Sequence, residues 1–129
     1  METRQLSRQL GKILLTWSIS SGVVGAVLLF VPIGLLQGIG LQALLWGIID
    51  AVIAVFGVFR VKEQTAAMAA KFLRINVYLD VVYQLVGILL VIFMWIDAFL
   101  FGNGIGIILQ GVFLFVLDLH FYRRFKVMA

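Results

Sequence analysis

Hydrophobic residues in this chain form four long runs, at 13–33, 39–59, 75–96 and 105–122, separated by short polar or glycine-rich stretches. Each run holds roughly 18–22 residues, the length that crosses about 30 Å of hydrocarbon at about 1.5 Å per helical residue. A backbone in lipid must satisfy its own hydrogen bonds, so each run is predicted to be an α-helix. The runs lack the alternation that the strands of a barrel require. The predicted fold is therefore all-α: a four-transmembrane-helix bundle forming a single membrane domain over residues 1–129. Pro32 should end the first helix, and the glycines of "PIGLLQGIG" predict a short external turn. Thr65 is a suitable N-cap for a third helix that starts in "AAMAAKFL" and continues into the membrane. "GNGIG" at 102–106 reads as a turn followed by close packing.

Polar residues interrupt these runs at helical spacing. Gln42, Trp46 and Asp50 are four apart, as are Asn76, Asp80 and Gln84, with Tyr83 adjacent; Gly106, Gln110, Leu114 and Asp118 repeat the pattern. Residues four apart share one helix face. The first run presents Ser18, Ser21, Gly22 and Gly25 on one side. Each predicted helix thus has one face of small or hydrogen-bonding residues. Lipid tails are as apolar as leucine, so such faces, and not apolar burial, hold helices together in a bilayer. Amides suffice for that purpose, whereas a charged Asp at mid-helix costs at least about 2.5–3.5 kcal/mol. Asp50, Asp80 and Asp118 therefore call for protonation, pairing with a boundary arginine such as Arg60, Arg74 or Arg123, or contact with water or a cation. Asp50 is the farthest from a basic partner.

The segment 38–50, "GIGLQALLWGIID", aligns without gaps to 106–118, "GIILQGVFLFVLD", at an offset of 68, with identity at five of 13 positions. The matches include both the Gln and the Asp. This predicts two similar helical hairpins, a parallel 2+2 pseudo-repeat with its axis along the membrane normal.

Charge supplies the orientation. All ten basic residues lie outside the apolar runs, in the N-terminal tail, the middle connection and the C-terminal tail. The positive-inside rule then places both termini in the cytoplasm. The net charge of +4 reflects this topology, and no soluble basic surface exists for a nucleic acid. The mean hydropathy of +1.16 excludes a small soluble domain. The first run exceeds a signal-peptide core and is read as a retained helix. With no cysteine and one histidine, the chain offers no disulfide, no thiol nucleophile and no typical metal or cofactor site. His120 reads as an interfacial residue, Asp97 as solvated, and Trp95, Tyr122 and Phe121 as an aromatic belt.

The residues Arg8 and Trp17, "Q42-x3-W46-x3-D50", "N76-x3-D80-x2-Y83" and "G104-x-G106-x3-Q110-G111-x-F113-L114-x3-D118" together resemble an uncharacterised family of small bacterial four-helix integral membrane proteins. The resemblance covers nearly the whole chain. It implies the architecture and a bacterial inner membrane, and brings no activity. It also implies Asn as the common residue where this chain has Asp50, which shifts weight to Asp80 and Asp118.

The expected function is that of a non-enzymatic membrane protein whose polar intramembrane pocket binds a small ligand, lipid head group or cation. Asp80 and Asp118 would be its anionic groups, with Asn76, Tyr83, Gln84, Gln42 and Gln110 as hydrogen-bonding partners and Asp50 extending it. No catalytic residue and no metal ligand is assigned. The alternatives are a proton- or cation-coupled transporter or channel and a structural subunit. The expected partners are the lipid bilayer and either further copies of the chain or a larger membrane complex.

Overall fold

A computed structural model describes residues 3–59 and 65–129. The described residues form four helices and no strand: α1 (Thr3–Leu29), α2 (Gly34–Val52), α3 (Ala66–Phe93) and α4 (Ala98–Met128). A π-helical segment, Ile53–Phe59, continues α2. All four helices are long and apolar enough to cross a membrane, over Thr3–Leu29, Gly34–Phe56, Ala66–Phe93 and Ala98–Met128. Arg60 and Lys62, which contribute to the basic face in the sequence, lie outside the described residues.

The helices outrun the apolar runs, and the reason lies at the basic end of the bundle. There Leu6, Leu10, Leu73, Phe121 and Phe125 are buried in a cluster shared by α1, α3 and α4, with the small residues Ala54, Ala66, Ala69 and Ala70 between them. Amphipathic helix ends that bury such a stripe stay helical beyond the hydrocarbon length. Phe121, expected in an aromatic belt, is only 1% exposed and belongs to this core, whereas Trp95 is exposed. Thr65 caps α3 as expected, its hydroxyl accepting from the Met68 N–H at 3.1 Å. Asp97 does more than face solvent: its carboxylate caps α4 by accepting from the N–H groups of Phe99 and Leu100 at 3.0 and 3.1 Å.

Both glycine-rich stretches expected as turns are helical. α2 begins at Gly34 and α4 at Ala98, so "GLLQGIG" and "GNGIG" lie inside helices and only residues 30–33 and 94–97 form the tight connections. The glycines act by close approach and not by breaking the helix. A Cβ at Gly38 would collide with the carbonyl oxygen of Phe99, and one at Gly102 with that of Leu35, so α2 and α4 meet backbone to backbone. Gly25 faces Gly40 between α1 and α2, and Gly87 faces Gly104 between α3 and α4. The order of these contacts makes α1/α2 and α3/α4 antiparallel hairpins and sets α2 parallel to α4.

The contacts of the two hairpins correspond. Gly38, Gly40 and Gly47 of α2 are placed as Gly102, Gly104 and Gly111 are in α4, each pair 64 positions apart, while Gly25 and Gly87 are 62 apart. This differs from the sequence offset of 68 by about one helical turn. A shift of four residues keeps the same face forward, so apolar helices align almost as well in either register.

Gly38→Ala and Gly102→Ala should each lower stability by about 1–3 kcal/mol, the scale of overpacking. Gly22→Ala is the control: nothing lies within 4 Å of its added methyl, so stability should hold or rise by up to about 1 kcal/mol. Thermal denaturation in detergent would check all three.

Candidate functional site

The helical faces singled out by spacing turn inward but do different things at different levels. Nearest the 30–33 turn, the Gln42 amide donates to Asn103 Oδ1 at 2.8 Å, and Asn103 in turn donates to the Phe99 carbonyl at 2.9 Å. In the middle, Gln110 links α1 to α4. Its Oε1 accepts from the Trp17 indole N–H at 2.8 Å, and its amide donates to the Ser21 hydroxyl at 3.2 Å. Trp17 also stacks on Phe113 with ring centroids 3.8 Å apart. Gln84 ties α3 to α4 by donating to the Ile108 carbonyl at 3.0 Å. Gln42, Gln84 and Gln110 are thus engaged between helices, and none of them lines the cavity described next, contrary to the single shell expected from sequence. For Gln42 and Gln110 the cause is axial distance, since residues eight apart share a face but lie about 12 Å apart along the helix; Gln84, one turn from Asp80, is held instead by the Ile108 carbonyl.

Toward the basic end a cavity of about 150 Å³ opens between all four helices. Asp50 from α2, Asp80 and Asn76 from α3, and Asp118 from α4 line it, together with Tyr83. These are the five of the eight candidate residues that the fold brings together. Trp46 and Phe72 supply aromatic walls, and the Trp46 ring meets Tyr83 edge-on at 4.7 Å. Leu10, Leu14 and Leu73 line it as well and belong to the buried apolar cluster. Trp46, Leu10, Leu14 and Phe72 were absent from the sequence-derived site; Trp46 could have been included, because it sits one turn before Asp50.

Three carboxylates in so small a space are electrostatically costly. Asp50 is 1% exposed and Asp80 3% exposed. The side chains of Asp80 and Asp118 are within hydrogen-bonding reach of each other. Asp50 Oδ2 and Asp80 Oδ2 have no hydrogen-bond partner among the described residues. Among the described residues no basic side chain lines the cavity, and Arg74 and Arg123, considered as partners from sequence, are not buried; Arg60, the third, lies outside the described residues. Among the described residues, no three acidic or histidine side chains are grouped so as to hold a metal ion. His120 is exposed and packs edge-on against Phe121.

The fold and this cavity define a class: a small helical bundle with an apolar exterior and a buried, acid-lined interior. Residues 13–119, most of the chain, match the family of unknown function DUF6992, and the chain belongs to that family. No curated protein and no solved structure matches the chain.

Gln110→Leu should strand the Trp17 indole N–H and the Ser21 hydroxyl. A loss of about 1–2 kcal/mol is expected, with Asn103→Leu acting similarly through Gln42. Unfolding in detergent, followed by helical circular dichroism, would measure both.

Proposed function

We propose that this chain is a multi-pass protein of the bacterial inner membrane, with both ends of the chain on the cytoplasmic side, that binds a small ligand or cation in its intrabundle cavity. The antiparallel arrangement gathers Arg4, Arg8, Lys12, Lys71, Arg74, Arg123, Arg124 and Lys126 at one end, leaving Asp97 at the other. That asymmetry supports the orientation. The outward residues support the bilayer as solvent: Val23, Val27, Ile48, Tyr78, Val82, Leu85, Leu89 and Val116 are all exposed. The corresponding glycine contacts support two hairpins built on one plan, a parallel 2+2 pseudo-repeat.

The observation that carries the binding reading is the pair of buried, unpartnered carboxylate oxygens of Asp50 and Asp80 at one cavity. Buried polar atoms are almost always satisfied, and an unsatisfied one calls for a missing partner. The pseudo-repeat adds an internal control. At the spacing of the hairpin contacts, Asp50 corresponds to Leu114, Asp80 to Ser18 and Asp118 to Ala54; all three counterparts are buried. Equivalent positions therefore pack without any carboxylate, so packing alone does not demand the acids. The reading is non-enzymatic: the Ser18 hydroxyl donates to the Leu15 carbonyl and the Ser21 hydroxyl accepts from Gln110, so both serve helix contacts.

Native mass spectrometry of the full chain from mild detergent should report a co-purifying small species, and Asp80→Asn and Asp118→Asn should each reduce its occupancy several-fold. Unchanged occupancy in both variants would refute the cavity as a binding site. The same spectrum reports whether the chain associates with itself or with other membrane subunits.

A second reading, coupled transport of a proton or cation, draws on polar groups at three levels of the bundle: the acids, the Gln110–Ser21 pair and the Gln42–Asn103 pair. In proteoliposomes it requires a flux that falls at least about tenfold in Asp50→Asn or Asp80→Asn, the scale expected when one hydrogen-bonded group is lost; a bundle that stays silent under every imposed gradient excludes it.

A further inference from the structure

We infer that the cavity takes a small organic ammonium group: a primary amine carried by a free solute or by an aminoalkyl lipid head group. This rests on the cavity being a binding site and names what it selects.

The lining combines two chemistries. It holds the carboxylates of Asp50, Asp80 and Asp118 and the Asn76 amide. It also holds the rings of Trp46, Tyr83 and Phe72, the first two edge-on to each other at 4.7 Å. Carboxylates alone would suit a proton, an inorganic ion or an ammonium. The aromatic rings distinguish these. The π-face of Trp or Tyr attracts a cation within about 6 Å, and the attraction is larger the less water surrounds it. It also covers the alkyl portion of an organic cation with apolar surface, which an inorganic ion does not need.

The geometry of the acids points the same way. The three carboxylates come from three helices and are not grouped to chelate a metal ion among the described residues. A hard cation such as calcium requires six or more oxygens converging at about 2.3–2.6 Å. An ammonium head carries three N–H donors that point in different directions, and it can address separate acceptors. Two acceptors wait unpartnered, Asp50 Oδ2 and Asp80 Oδ2, on helices of different hairpins. Size agrees: a cavity of about 150 Å³ has room for a short aminoalkyl group.

The test uses the full chain reconstituted in phosphatidylcholine nanodiscs and isothermal titration with three probes: propylammonium, 1-propanol as its neutral counterpart, and potassium. The expected result is saturable binding of propylammonium at least about tenfold tighter than either of the others, the factor one charge-assisted contact provides. Asp50→Asn and Trp46→Leu should each weaken it by about the same factor, with a helical circular dichroism spectrum confirming that each variant folds. The wild-type comparison alone decides the chemistry should a variant fail to fold. Replacing the lipid by phosphatidylethanolamine separates the sources: suppressed propylammonium binding there assigns the site to a head group, and unchanged binding assigns it to a free amine. Equal binding of 1-propanol and propylammonium, or a preference for potassium, overturns the ammonium assignment and leaves the cavity a binding site. No binding of any probe, together with no co-purifying species in native mass spectrometry, overturns both.

Discussion

The approach of α2 to α4 at Gly38 and Gly102 is the contact on which the rest of the architecture depends. With no side chain between them, each helix rests on a backbone carbonyl of the other, Phe99 on one side and Leu35 on the other. Helices whose outer surfaces are apolar gain little from burying more apolar area against one another in lipid; small residues that allow dispersion contacts and short hydrogen bonds take over. Once this central pair is set, Gln42 reaches Asn103 and Gln110 reaches Trp17 and Ser21 at ordinary hydrogen-bond distances. The outer helices α1 and α3 then pack on their partners through a second set of glycines, Gly25 with Gly40 and Gly87 with Gly104.

Against this economical framework the acid-lined cavity stands out. Amides and glycines already join the helices, and the corresponding positions Leu114, Ser18 and Ala54 are buried without charge. A carboxylate removed from water costs several kcal/mol unless something in the protein or in the cavity compensates it. The apolar cluster of Leu6, Leu73, Phe121 and Phe125 packs at the basic end of the bundle, and among the described residues no arginine lines the cavity to supply that compensation. Acidic side chains in such surroundings are the feature on which the proposed binding rests.

Much of the architecture was legible in the sequence because hydrophobic length and charge placement are coarse signals. Four runs of sufficient length predicted four helices, and Thr65 announced the start of α3 through its capping chemistry. The misreadings concern glycine and register. In "GLLQGIG" and "GNGIG" the usual association of glycine with turns gave way to its other property, the absence of a Cβ where two backbones must touch. The glycine contacts of the two hairpins correspond about one turn away from the sequence match, because leucine- and isoleucine-rich segments score alike under a four-residue slip. For the site, spacing by four identified the inward faces correctly but not the depth at which each residue acts. Asp50, Asp80 and Asp118 come together with Asn76 and Tyr83, while Gln42, Gln84 and Gln110 are engaged elsewhere. Depth depends on how the helices are offset along their axes, and that is set by the glycine contacts between chain segments far apart in sequence.

The acids are divided between the hairpins: α2 contributes Asp50, and α3 and α4 contribute Asp80 and Asp118. A cation bound among them, as proposed, would join the two halves of the molecule, as a rivet does two plates. By linkage, a species that binds only the closed arrangement stabilises it in proportion to the logarithm of its concentration, so the rigidity of this small bundle would become a readout of its chemical surroundings.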